Sequence, residues 1–140
     1  MRTADFVGRV RSVRAWLERY ERIRDDKPDG ELFYDWFVGT LSRQELARLH
    51  GLTLPEVDAA LLHASTRFEH GRLYPLVKWL IEQAEDGDIF LLFTKGLSGE
   101  QIGEKVGKTN WTVYKRLNNV RKRVEELRAA GGLQELRCIA

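Results

Sequence analysis

The chain has 140 residues, 43% of them hydrophobic and 31% charged. That is enough for one compact domain or two very small ones, and too little for an enzyme with separate substrate domains. Lys and Arg exceed Asp and Glu by only 23 to 21, so any argument for nucleic acid must rest on where the charges lie.

The single cysteine, Cys138, excludes an internal disulfide framework and suits a reducing compartment. No apolar run approaches the ~20 residues that span a bilayer. The N-terminal MRTAD lacks the apolar core of a signal peptide. The expectation is a cytoplasmic protein with no membrane association.

Phe6, Val10, Val13, Leu17 and Tyr20 recur at spacings of four and three. They form one stripe of an amphipathic helix predicted over residues 4–24. The turn-forming run Asp25-Asp26-Lys27-Pro28-Asp29-Gly30 ends it. Leu32, Phe33, Trp36 and Phe37 make a short aromatic helix, and the next helix starts at Ser42. A break follows over residues 69–75. Leu76, Val77, Leu80 and Ile81 form a helix expected to end at Glu85-Asp86-Gly87-Asp88. Ile89, Phe90, Leu92 and Phe93 then repeat the aromatic pattern. Period-two alternation is scarce, which predicts an all-α chain.

An offset of 56 residues lays LSRQELARLHGLTLPEVDAALLHASTRF, from Leu41, on LSGEQIGEKVGKTNWTVYKRLNNVRKRV, from Leu97, without a gap. Leu41 meets Leu97, Ser42 meets Ser98, Gly51 meets Gly107, Thr53 meets Thr109, Val57 meets Val113, Leu61 meets Leu117, and Phe37 meets Phe93. Each copy has the parts of a helix-turn-helix, whose second helix is presented to the major groove. Ser42 with Glu45, Thr53 with Glu56 and Ser98 with Gln101 form capping boxes, and Thr109 is a further helix starter. Ala47 and Gly103 are small where helices would touch. Gly51 and Gly107 stand where the turn needs a left-handed residue.

The stretch GLSGEQIGEKVGKTNWTVYKRLNNVRKRVEEL, with the aromatic helix before it (residues 88–127), resembles region 4 of bacterial sigma factors. Gly96-Leu97-Ser98, Ile102, Gly107, Thr112-Val113, Arg116-Leu117 and Arg121 carry the likeness. Gly103 replaces the usual alanine. Trp111 and Tyr114 fall where sigma factors often carry polar base-reading side chains. The amphipathic N-terminal helix ahead of such a module is similar to small phage and mobile-element transcription regulators. The resemblance implies a DNA-binding transcription regulator.

The expected organisation is an N-terminal helix and linker over residues 1–30, then a degenerate first helix-turn-helix over residues 31–70. A connecting helix at residues 71–87, a sigma region 4-like helix-turn-helix at 88–130 and a tail at 131–140 complete it. Charge selects the second copy as the one that meets double-stranded DNA. Lys105, Lys108, Lys115, Arg116, Arg121, Lys122 and Arg123 there oppose only Glu100 and Glu104, whereas Glu56 and Asp58 sit on the first copy's second helix. With Val113, Leu117, Val120 and Val124 facing the core, the candidate contacts are Lys108, Thr109, Asn110, Trp111, Thr112, Tyr114, Lys115 and Asn119, with Asn118 also outside. Asn110, Thr112 and Lys115 suit base edges. Arg116, Arg121, Lys122 and Arg123 suit phosphates.

No catalytic, cofactor or metal site is expected. His50, His63 and His70 have no cysteine pair beside them, and Glu82 with Glu85 reads as helix surface rather than an acid–base pair. A factor that binds RNA polymerase or a sigma subunit by protein contact is the alternative, and a DNA-packaging or recombination accessory protein is a third. The N-terminal half is the candidate surface for homo-oligomerisation.

Overall fold

A computed structural model describes residues 3–18, 29–39 and 41–132. Tyr20, the expected helix end near Arg24 and Cys138 lie outside the described residues. The described backbone is all-α, with no strand among the described residues. In chain order it forms α1 (Thr3–Glu18), α2 (Gly30–Phe37), α3 (Arg43–His50), α4 (Leu54–Arg67), a 3-10 turn (Phe68–Gly71), α5 (Tyr74–Glu82), α6 (Glu85–Thr94), α7 (Gly99–Val106) and α8 (Asn110–Ala129).

The 56-residue repeat carries through to the helix ends. Ser42 and Ser98 each accept a bond from the backbone N–H three residues on, and the Glu45 and Gln101 side-chain oxygens accept one from the backbone N–H of the cap residue. Two orphan donors are thereby satisfied at each start. Gly51 (φ 64°, ψ 32°) and Gly107 (φ 69°, ψ 35°) both close their helices in the left-handed region, where a Cβ costs about 1 kcal/mol. Thr53 and Thr109 then cap α4 and α8 in the same extended conformation. Two matching helical hairpins result, α3–α4 and α7–α8, preceded by α2 and α6.

Packing joins these parts through one main core. Phe6, Val10, Val13 and Leu17 of α1 are buried with Phe33 and Phe37 of α2, Leu61 of α4, Leu76 and Leu80 of α5, Phe90 of α6, and Val120 and Val124 of α8. The Phe6 ring stacks on Phe90 at 5.6 Å and meets Trp79 edge-on at 5.3 Å. A smaller cluster of Ile89, Leu92, Ile102 and Val113 holds the second hairpin against α6.

One sequence expectation is corrected here. Glu85-Asp86-Gly87-Asp88 does not end a helix but forms the first turn of α6. The chain breaks earlier, where Ala84 adopts φ 56° and ψ −133°. Acids in a first turn face the positive end of the helix macrodipole. Gly87 lets α5 come close, since a Cβ there would run into the Leu80 carbonyl oxygen.

Two buried arginines link the halves. Arg14 of α1 donates from Nε to the Phe37 carbonyl at 3.1 Å, and from Nη2 to the Leu91 carbonyl at 2.8 Å and Thr94 Oγ1 at 2.9 Å. It therefore holds the C-terminal ends of α2 and α6 together. Burial pushes its pKa down from the ordinary guanidinium range to about 10. Arg43, at the start of α3, pairs with Asp58 at 2.6 Å and with Asp88 of α6 at 3.4 Å. Asp88 also accepts from the Trp36 indole N–H at 2.9 Å. Burial raises the Asp88 pKa despite the opposing effect of Arg43.

Candidate nucleic-acid interface

The second hairpin owes its tight turn to Gly103. A Cβ at that position would stand 2.6 Å from the Lys108 carbonyl oxygen, so the end of α7 meets the turn backbone directly. The Gly103 carbonyl accepts from Lys108 N–H at 3.0 Å. Thr109 Oγ1 then accepts from Thr112 N–H at 3.2 Å and fixes the direction in which α8 leaves the turn.

Successive residues turn by about 100° around a helix, and burial along α8 follows that period. Val113, Val120 and Val124 are buried and Leu117 is half-buried, which defines the inner face. The opposite face carries Trp111, Lys115, Asn118 and Lys122, all exposed. Trp111 is 70% exposed, and the Lys115 ammonium lies 5.2 Å from the centre of its ring. An ammonium over an indole face is attracted by the ring quadrupole, by roughly 0.5–1 kcal/mol at an exposed site. The indole and the cation thus form one preformed unit.

The flank toward α7 carries Asn110, Tyr114 and Arg121, again exposed. A Cβ on Gly99 would stand 2.9 Å from the Tyr114 ring and would overlap Asn110 Oδ1. Gly99, at the start of α7, thus leaves room for both side chains. The repeat partners of Gly99 and Tyr114 are Arg43 and Asp58, so the first hairpin fills the same position with an ion pair.

The flank toward α6 carries Thr112, Arg116, Asn119 and Arg123, all half-buried. Arg116 Nη1 lies 3.1 Å from Asp86 Oδ1 and 3.5 Å from Glu85, and Arg123 Nη1 lies 3.0 Å from Asp86 Oδ2. Both guanidiniums, read from the sequence as phosphate contacts, are therefore engaged within the chain by the first turn of α6. Lys108, Thr109, Asn110, Trp111, Tyr114, Lys115, Arg121 and Lys122 are brought together on the solvent side.

Charge on this surface is one-sided along α8, which has no acid from Asn110 to Val124. Lys105 and Lys108 extend the exposed cations onto α7 and the turn, with exposed Glu100 and Glu104 on the outer side of α7. Beyond the stretch, Glu125 pairs with Arg128 at 3.7 Å.

The first hairpin presents a different surface. Leu49 (69% exposed), Leu54 (36% exposed), Pro55 and Ala59 occupy the places that Lys105, Asn110, Trp111 and Lys115 take in the second. Of the histidines, His63 Nδ1 lies 2.7 Å from Asp29 Oδ2. Among the described residues, no three His, Cys, Asp or Glu side chains gather as a metal site. No described helix is long and apolar enough to cross a membrane.

Sequence reasoning passed over Asp86, which orients two arginines of α8, and Arg14, which ties α2 to α6. Comparison of the chain with protein-family models, curated proteins and solved structures finds no significant match in any of the three.

Proposed function

We propose that this chain is a DNA-binding transcription regulator whose two hairpins are tandem helix-turn-helix units. The second, sigma region 4-like, is the one that lies on double-stranded DNA. The observation that carries the reading is the outer face of α8. Trp111, Lys115, Asn118 and Lys122 stand exposed there, beside Arg121, on a helix with no acid from Asn110 to Val124. A helix with such a face can enter a major groove, because cations replace counterions along the phosphates while short polar side chains meet base edges. Asn110 suits an adenine edge and Lys115 a guanine edge. Lys108, Arg121 and Lys122 suit phosphates, which set register without reading sequence. The reading assigns no catalytic chemistry, and it fits a cytoplasmic protein of the small phage or mobile-element type.

The test is selection of genomic fragments at two salt concentrations by the wild type and by the double variant Lys115→Ala, Lys122→Ala. Selective binding that weakens with salt, and that the variant loses while keeping its helical signal, is the expected result. Binding unchanged in the variant refutes the assignment of α8.

A second reading is favoured by the first hairpin. Leu49 and Leu54, exposed with Pro55 and Ala59 beside acidic Glu56, suit a protein partner better than a phosphate backbone. RNA polymerase or a sigma subunit is the partner this reading names. Polymerase capture that survives the α8 double variant but fails with Leu49→Glu would establish it.

A further inference from the structure

Trp111 is an unusual residue to leave in water. The other indoles with described side chains, Trp36 and Trp79, pack into or against the main core, whereas Trp111 is 70% exposed in the first turn of α8. Nothing in the hairpin needs it there. Val113 supplies the buried contact, Thr109 the cap, and Gly107 the turn. The ring has a cation beside it, with Lys115 Nζ at 5.2 Å from its centre. Arg121 and Lys122 stand exposed about three turns further along α8.

We infer that Trp111 selects DNA sites by packing its indole against the C5 methyl groups of thymine in the major groove. This rests on the reading of α8 as the groove-entering helix. The floor of a major groove is almost wholly donors and acceptors, and the thymine methyl is its one apolar group. An indole offers one N–H and a broad apolar surface, so its complement on that floor is the methyl. Lys115 takes the polar share of the same unit. The exposed cations along α8 hold the phosphates and bring the ring to the groove, and the half-buried α6 flank of α8 fixes the helix from behind. Burying one methyl is worth about 0.8 kcal/mol, which corresponds to about a fourfold change in affinity for each methyl covered.

The experiment starts from duplexes that wild-type protein selects from a randomised pool. The selected sequences are resynthesised with thymine or with uracil, which keeps every donor and acceptor and lacks only the methyl. Wild type and Trp111→Ala are titrated against both duplexes, and against the matching single strands, at two salt concentrations. The expected result is tighter wild-type binding to thymine duplex by about fourfold or more. Trp111→Ala should bind both duplexes alike, near the wild-type affinity for uracil duplex and with an unchanged salt dependence. Equal wild-type affinity for the two duplexes overturns the inference while leaving the DNA-binding reading intact. So does a Trp111→Ala variant that still discriminates, whereas single strands bound as tightly as duplex overturn the reading of α8 as a groove-entering helix as well. Failure to select any duplex overturns the inference and the reading together. Trp111 is exposed, so the variant should fold, which its helical signal and melting temperature verify.

Discussion

Asp86 sets two quantities against each other, and Asp86→Asn separates them. Its carboxylate lies 3.0 Å from Arg123 Nη1 and 3.1 Å from Arg116 Nη1, with 11% of its own side chain exposed against 41% and 31% for the arginines. Pairs this open are worth up to about 1 kcal/mol each. The lost charge in the first turn of α6 adds roughly 0.3–1 kcal/mol through the helix macrodipole. Asparagine keeps one oxygen acceptor, so the net loss is about 1–2 kcal/mol. For a chain of this size that is roughly 3–7 °C in melting temperature. The effect on DNA has the opposite sign. Arg123 loses its carboxylate partner, while Arg116 retains Glu85 at 3.5 Å. One added phosphate contact steepens the slope of log affinity against log salt by about 0.9. Calorimetry and salt titration of the same preparations read both numbers. A variant that melts with the wild type refutes the structural account of the bridge. One that is destabilised but shows an unchanged salt slope refutes the claim that Asp86 withholds a cation from DNA.

Arg14→Met removes three hydrogen bonds from a charged donor, to the Phe37 and Leu91 carbonyls and to Thr94 Oγ1, at about 1.5–3 kcal/mol each. Relief of a buried guanidinium, whose pKa already falls to about 10, offsets part of this. The expected net loss of about 2 kcal/mol lowers the melting temperature by roughly 7 °C, and a shift near zero refutes the clamp. Asp88→Asn tests the acid side of stability. Burial holds the folded Asp88 pKa above its ordinary 3.8, so folding favours its protonated form. That contribution is complete below pH 3.8 and is lost as pH rises through the folded pKa. The variant should therefore gain on the wild type as pH is raised from the ordinary aspartate range toward neutral. A stability difference that stays flat, or in which the variant loses ground to the wild type as pH rises, refutes the assignment.

The hairpins were legible in the sequence because their determinants are local. A capping box spans four residues and a left-handed glycine needs only its own backbone, so Ser42, Gly51, Ser98, Gly107 and Thr109 carry their structural roles in their spacing. Val113, Leu117, Val120 and Val124 likewise declare an inner face by period alone. Glu85-Asp86-Gly87-Asp88 was misread because acids around a glycine look like a turn to any local rule. What makes them a helix start is tertiary: Leu80 pressed against Gly87 and two arginines closing on Asp86. Arg116 and Arg123 carried a usable signal, since each follows a buried valine, Val113 or Val120, by three residues. That spacing keeps a side chain beside the core, where it meets a neighbouring helix before it meets solvent. Arg14 sits likewise four residues after Val10 and three before Leu17. The outward place of Trp111 was undecidable without the structure, because period alone cannot tell an exposed indole from one covered by another element.

Arg14 has a consequence for how the two hairpins behave as a pair. A duplicated unit ordinarily keeps its own supports, so each copy can loosen while its neighbour stays intact. Here one guanidinium grips the carbonyl ends of both leading helices, Arg11 adds a bond to the Thr94 carbonyl at 3.0 Å, and Lys95 reaches back to the Val38 carbonyl at 2.9 Å. Three cations thus share the negative ends of two helices, and neither end can fray without withdrawing a partner from the other. Opening of either hairpin is therefore a cost borne by both, so a ligand that tightens α8 slows amide exchange in α3 and α4, which it never touches.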